Sequence, residues 1–222
     1  MKGEAIAGGR RGGLFLVLEG VEGAGKSTQA RRLAGWCDAA GIAAHLTREP
    51  GGTVLGEQIR QLLLDGGEIP PRSELLLMLA ARAALVDEVI RPALAAERVV
   101  IADRYELSTL AYQGYGRDLA MREIRALNEF ATGGIHPDLT ILLDLPSTEG
   151  RERKEAASAG VDRIERETEA FHDRVADGYR ALAETEPDTV RVDAGGDANS
   201  VHSRIIAVLR ERFPETFPNR VG

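Results

Sequence analysis

Leu14-Phe15-Leu16-Val17-Leu18, followed after Glu19 by Gly20-Val21-Glu22-Gly23-Ala24-Gly25-Lys26-Ser27, is the stretch whose reading decides the fold. Five consecutive apolar residues without alternation fit a strand that has no face on solvent, as inner strands of a parallel sheet have none. The next eight residues satisfy G-x-x-x-x-G-K-[ST] between a strand and a helical stretch, the context this phosphate-binding pattern requires. Three glycines let the backbone curl with successive N–H groups pointing inward, and the following helix adds the positive end of its dipole. The result is an anion cradle. Lys26 would reach the β and γ phosphates of ATP as a point charge, and the Ser27 hydroxyl offers a hard oxygen to Mg²⁺.

Outward from this stretch, Ile42 to Leu46, Val99 to Ala102, Leu139 to Leu143 and Thr189 to Val192 are short apolar runs of strand length. Helical composition fills Ser27 to Ala40, Val54 to Leu64, Ser73 to Ala96, Met121 to Ala131, Glu165 to Glu184 and Ala198 to Arg212. Strands that alternate with helices predict an α/β fold, a five-stranded parallel sheet flanked by helices on both faces, because right-handed crossovers return each helix over the sheet. Ligands of such sheets bind beside the loops that leave the carboxyl ends of the strands. Two such loops carry charge: Thr47-Arg48-Glu49-Pro50-Gly51-Gly52-Thr53 after the second strand, and Asp103-Arg104-Tyr105 after the third. Asp103 is placed to orient hydrated Mg²⁺, and Arg104 offers a planar fork for a second phosphate. The cradle alone leaves kinases, switches and motors open; two phosphate-directed sites favour transfer between them.

The 222 residues suit one layered core, and 43% hydrophobic with 28% charged residues excludes global disorder. With 28 Lys and Arg against 35 Asp and Glu, the net charge of -7 argues against broad adhesion to nucleic acid or anionic membrane. The longest apolar run, Leu75 to Ala81, falls far short of the ~20 residues that cross a bilayer. Cys37 is the sole cysteine, so no intramolecular disulfide or four-cysteine zinc cage can form, which fits a reducing cytoplasm. Met1 to Gly13 has no apolar core of the secretory-signal kind and reads as a flexible leader to a single domain over 14–222.

Several blocks then occur in a fixed order: 19–28 with Glu19, the cradle and Thr28, Thr-Arg-Glu-Pro-Gly-Gly-Thr (47–53), Ala-Ala-Arg (80–82), Asp-Arg-Tyr-Glu-Leu-Ser-Thr (103–109), Ala-Tyr-Gln-Gly (111–114), Pro-Asp-Leu-Thr (137–140) and Asp-Arg-Ile-Glu (162–165). The series resembles bacterial thymidylate kinase. That resemblance implies a three-layer P-loop kinase fold with a short mobile lid, here about 147–163. It also implies Mg²⁺-dependent transfer of the ATP γ-phosphoryl group to dTMP, giving dTDP and ADP on the way to dTTP, by a homodimer. By the same resemblance, Gly20 to Thr28 bind ATP, and Ser27 with Asp103 serves the metal. Glu22 contacts the sugar of dTMP near its 3'-hydroxyl, Arg104 grips the acceptor phosphate, and Arg48 with Glu49 lies in a segment that closes the same pocket. Arg82 donates to thymine O4, Thr109 and Gln113 meet the base edge, and Tyr112 crowds the 2' carbon against ribose.

Two departures stand out. Met78 occupies the position where many members carry a phenylalanine that stacks on thymine; it either covers the base with a thioether or belongs to the Leu75 to Leu79 apolar stripe. The cradle has no arginine, so transition-state charge falls to the lid, where Arg153 and Arg163 match best and Arg151 does not. The later lid arginines are replaced by Glu155-Ala156-Ala157-Ser158. A GTP-hydrolysing switch is the rival of another class. Switches of that kind usually carry Asn-Lys-x-Asp, and no Asn-Lys pair occurs in the chain.

Overall fold

A computed structural model describes residues 12–65, 67–156 and 162–218. The expected leader lies outside these through position 11, as does the part of the expected lid at 157–161, with Ala157 and Ser158. Five strands form one sheet: β1 (Leu14–Glu19), β2 (Ala44–Arg48), β3 (Val99–Asp103), β4 (Leu139–Asp144) and β5 (Thr189–Asp193). Their order is β2-β3-β1-β4-β5, with every neighbour parallel. Each expected strand is present, extended at its carboxyl end by one or two residues, and β2 begins at Ala44 rather than at Ile42.

The unalternating run in β1 is explained by helices on both faces. Leu14, Leu16 and Leu18 enter a core built with α1 (Lys26–Ala39), α8 (Glu169–Thr185) and α9 (Ala198–Arg212). Phe15 and Val17 point the other way, against Leu85, Val86, Ile90 and Ala93. Each such buried side chain contributes about 2 kcal/mol through burial.

The remaining helices are α2 (Val54–Asp65), α3 (Pro71–Leu85), α4 (Arg91–Ala95), α5 (Glu106–Thr109), α6 (Met121–Thr132) and α7 (Ser147–Ala156). The single helix expected over Ser73 to Ala96 is instead α3 and α4 joined by a π-helical turn, Val86–Ile90. Pro92 has no N–H to give an i−4 carbonyl, so the ladder slips at that point. The helix expected from Glu165 begins at Glu169. Asp162 accepts from the N–H groups of Ile164 and Glu165 at 2.9 and 3.0 Å and holds a separate turn, and Thr168 supplies the true cap by accepting from Phe171 N. A second π-helical stretch, Leu110–Gly116, continues α5.

Register explains why the charged loops meet. Asp103 stands beside Leu18 on one side and Arg48 on the other. The cradle after β1, Arg48-Glu49 after β2 and Asp103-Arg104 after β3 therefore leave one sheet edge at one level.

Candidate active site

The cradle takes the left-handed conformations its glycines permit, with φ of 141° at Gly20, 73° at Gly23 and 89° at Gly25. Gly25 caps α1 with no side-chain partner, so the first N–H groups of α1 face the cradle. The Lys26 ammonium donates to the carbonyl of Val21, inside the loop, at 2.7 Å. Burial, and then the charge of Arg104, lower its pKa from 10.5 to about 7, against the opposing pull of Asp103, Glu22 and Glu19. Ser27 Oγ donates to Asp103 Oδ2 in a very short hydrogen bond, joining the two residues expected at the metal.

The cradle opens into a pocket of about 1020 Å³. Glu22, Gly23, Gly25, Lys26, Ser27 and Thr28 line it on the cradle side. Arg48, Glu49, Asp103, Arg104, Tyr112 and Gln113 line the side below β2 and β3, joined by Met78, Arg82 and Thr109. Gly20, Val21 and Ala24, expected with the other cradle residues, do not line it; Val21 and Ala24 are buried in the apolar core.

Arg104 holds φ at 75°, an uncommon conformation for a residue with a side chain. Its Nη1 donates to the Gly20 carbonyl, Ser108 Oγ and Tyr179 OH at 3.3, 3.1 and 3.0 Å, and Nη2 donates to Tyr112 OH at 3.2 Å. Among the described residues nothing engages its Nε, so the guanidinium keeps donor capacity for an anion. Glu19, fully buried, is the scaffold beneath: it accepts from the N–H of Tyr105 and of Ser108, from Ser108 Oγ at 2.6 Å and from Tyr179 OH at 3.0 Å.

At the end of the pocket expected to take the base, one residue is wholly engaged. Arg82 is 2% exposed. Its five N–H groups meet Glu49 (Nε and Nη2), Thr109 Oγ1 at 2.9 Å, Asn128 Oδ1 at 2.5 Å and the Tyr105 carbonyl at 2.8 Å. Burial works against its charge, but Glu49 outweighs burial and its pKa stands above the ordinary arginine value. Arg82 also lines the pocket, so the expected donation to thymine O4 would share an N–H already engaged. Glu49 lies within the pocket wall as the partner that fixes Arg82. Met78 packs on two apolar clusters and also lines the pocket. Arg48 is half exposed and paired with Glu57 at 3.0 Å.

The lid arginines separate. Arg153 lines the pocket, donating to the Ala194 carbonyl at 3.1 Å and to Glu149 at 2.6 Å. Arg163 does not line it. Buried to 9% exposure, it donates Nε to the Leu63 carbonyl at 2.8 Å and Nη2 to Glu74 at 2.5 Å. Its assignment as a catalytic cation is corrected: the charge is spent inside the protein. Lys154, in the same charged run, does face the pocket and is paired with Glu165. Arg151 pairs with exposed Glu169. The helix α7 meets the cradle backbone to backbone: a Cβ on Gly23 would stand 2.0 Å from the Gly150 carbonyl oxygen, and one on Gly150 would stand 2.2 Å from that of Glu22.

A family model described as thymidylate kinase matches residues 18–205. The chain belongs to the thymidylate kinase family. A thymidylate kinase of Synechococcus sp. (strain JA-3-3Ab) is 49% identical over 206 residues, covering 92% of this chain and 99% of its own. One from Desulfovibrio desulfuricans is 50% identical over 212 residues, covering 90% and 98%. The crystal structure of thymidylate kinase from Ehrlichia chaffeensis superposes with a TM-score of 0.74 at 32% identity, covering 89% of this chain and 99% of that one.

Sequence reading missed Glu19, Ser108, Asn128 and Tyr179. Glu19 had a signal, a carboxylate ending a strand otherwise wholly apolar. Asn128 and Tyr179 had none, since their partners lie 46 and 75 residues away.

Proposed function

We infer that this thymidylate kinase transfers the γ-phosphoryl group of ATP to dTMP, giving ADP and dTDP. One observation carries the reading: Lys26 in the cradle and Arg104 across from it open into the same pocket, so two phosphates of opposite destiny can meet there. The cradle N–H groups and Lys26 would hold the donor phosphates in place. The acceptor is already an oxyanion at neutral pH, so the chain needs no general base, and positioning with charge neutralisation does the work. Arg104 would grip the acceptor phosphate, Tyr112 and Glu22 would meet its sugar, and Thr109 with Gln113 the base edge. Arg153 and Lys154 are the lid cations best placed to neutralise developing charge.

Ser27 and Asp103 fit Mg²⁺, because a hydroxyl and a carboxylate already converge at the cradle mouth and both are hard oxygen donors. When bound, the ion would neutralise charge on the donor phosphates. Among the described residues no group of three or more His, Cys, Asp or Glu gathers to hold a metal.

We propose further that residues 14–222 are the catalytic unit and that two copies associate. Exposed Leu62 on α2, Leu76 on α3 and Phe130 on α6 support the dimer, being 58%, 57% and 87% exposed. No described helix is long and apolar enough to cross a membrane. A cytoplasmic location is proposed from the lone, buried Cys37. A coupled ADP-release assay with ATP and Mg²⁺ tests the activity against dTMP, dUMP, dCMP and dGMP in turn. The expected order has dTMP first; no acceleration by dTMP overturns the reading.

A further inference from the structure

Glu74, on α3, is 1% exposed and does not line the pocket, yet four hydrogen bonds converge on it. Gln113 Nε2 donates to its Oε1 at 2.9 Å, and Arg117 donates Nε to Oε1 at 3.1 Å and Nη2 to Oε2 at 3.0 Å. Arg163 Nη2 donates to Oε2 at 2.5 Å. Burial works to raise the Glu74 pKa, but the hydrogen bonds of Arg117, Gln113 and Arg163 outweigh it and keep the carboxyl below its ordinary value.

An ionised carboxylate only accepts. Gln113 therefore cannot turn its amide around: the flipped form would set Oε1 against a carboxylate oxygen, two acceptors at hydrogen-bond distance inside a buried site. With Nε2 committed to Glu74, the polar atom left to Gln113 on the pocket side is its Oε1. No hydrogen bond among the described residues engages that oxygen.

We propose that Glu74 is a specificity-determining positioning residue, which locks the Gln113 amide so that the pocket presents an acceptor to position 3 of the pyrimidine. Thymine and uracil carry N–H at position 3 and donate to that oxygen. Cytosine carries a bare nitrogen there and meets acceptor with acceptor. The carboxylate thus selects the tautomeric class of the base without touching it. The inference rests on the proposed role of Gln113 at the base edge and adds to it the group that sets the polarity.

The test compares kcat/KM for dTMP and for 5-methyl-dCMP, which keeps the methyl group, at saturating MgATP in the wild type, Glu74→Gln, Gln113→Leu and the double variant. A glutamine at 74 can accept or donate, so either orientation of Gln113 is satisfied. The expected result is a fall of about tenfold in the dTMP to 5-methyl-dCMP ratio in Glu74→Gln, the scale set by one mismatched polar contact. The KM for ATP should stay within twofold, and the double variant should match Gln113→Leu. Equal loss for both substrates in Glu74→Gln, as a merely structural role would give, overturns the proposal. So does multiplication of the two effects in the double variant. Should Glu74→Gln fail to fold, Glu74→Asp decides, since it keeps a charge for both arginines but draws the carboxylate back from the Gln113 amide: the same tenfold fall supports the lock and an unchanged ratio overturns it. A Gln113→Leu enzyme with unaltered KM for dTMP would refute the base-edge reading itself, whereas an effect of Gln113→Leu without one of Glu74→Gln refutes only the lock.

Discussion

Nucleotide binding should draw a proton from solution, because the ligand-free cradle holds Lys26 with a pKa of about 7. At pH 7 the unfolded lysine is fully charged and the folded one half charged, and the fall from 10.5 to about 7 costs about 4 kcal/mol of folding free energy. The unfolded chain keeps the proton up to about 10.5 while the folded one releases it above about 7, so this group makes stability rise with pH across that window. Phosphate in the cradle reverses the balance by surrounding the ammonium with negative charge. At pH 8 about nine cradles in ten hold a neutral amine, so saturation with ADP should take up about 0.9 proton per site. Isothermal titration calorimetry in Tris, HEPES and tricine at pH 8 measures this as the slope of observed enthalpy against buffer ionisation enthalpy. Lys26→Arg, which cannot deprotonate, should give a slope near zero. A wild-type slope near zero with unimpaired ADP affinity would refute the reasoning.

Arg104→Lys should raise the KM for dTMP at least tenfold while leaving the KM for ATP within twofold, since a point charge cannot span the Ser108, Tyr112 and Tyr179 oxygens and a phosphate together; steady-state kinetics with each substrate varied checks it. Arg163→Met should cost about 2 kcal/mol of stability in urea melts, because Glu74 retains Arg117, while kcat falls less than tenfold. A drop of three orders of magnitude in kcat at full stability would restore Arg163 as a charge donor. Gly150→Val should lower kcat/KM for both substrates, as its side chain must push α7 off the carbonyl of Glu22; unchanged kinetics would show that the two backbones are free to part.

The parts legible in the sequence are those whose cause is local. Period and run length revealed β1 because a strand covered on both faces has no polar positions, and the cradle was legible because its glycines and Lys26 act within one loop. Arg163 was misplaced for the opposite reason. A basic residue in a charged run looks the same whether it meets solvent, a phosphate or a buried carboxylate, and Glu74 lies 89 residues before it. The partners of Arg82 were hidden similarly: its neighbours in the chain are alanines, and its acceptors lie between 23 and 46 residues away. The break in the helix after Leu85 had a visible marker in Pro92, but an i−5 hydrogen-bond ladder uses the same residue types as an i−4 one.

The π-helical stretch Leu110–Gly116, where Arg117 N donates to the carbonyl of Tyr112 five residues back at 2.9 Å, acts as a phase shifter. One surplus residue rotates the downstream side chains by about 100° relative to a regular helix. Ser108 and Thr109 lie before the slip, and Tyr112 and Gln113 within it; at the 100° per residue of a regular helix these four would share an arc of about 140° on one face. Removal of a single residue between Thr109 and Tyr112 would let the helix relax into even winding, leave composition and length almost untouched, and turn the sugar-facing ring and the base-facing amide together by up to about 100° away from Ser108 and Thr109. Indel tolerance in this protein should therefore have a sharp minimum at a place where a sequence profile shows nothing but helix.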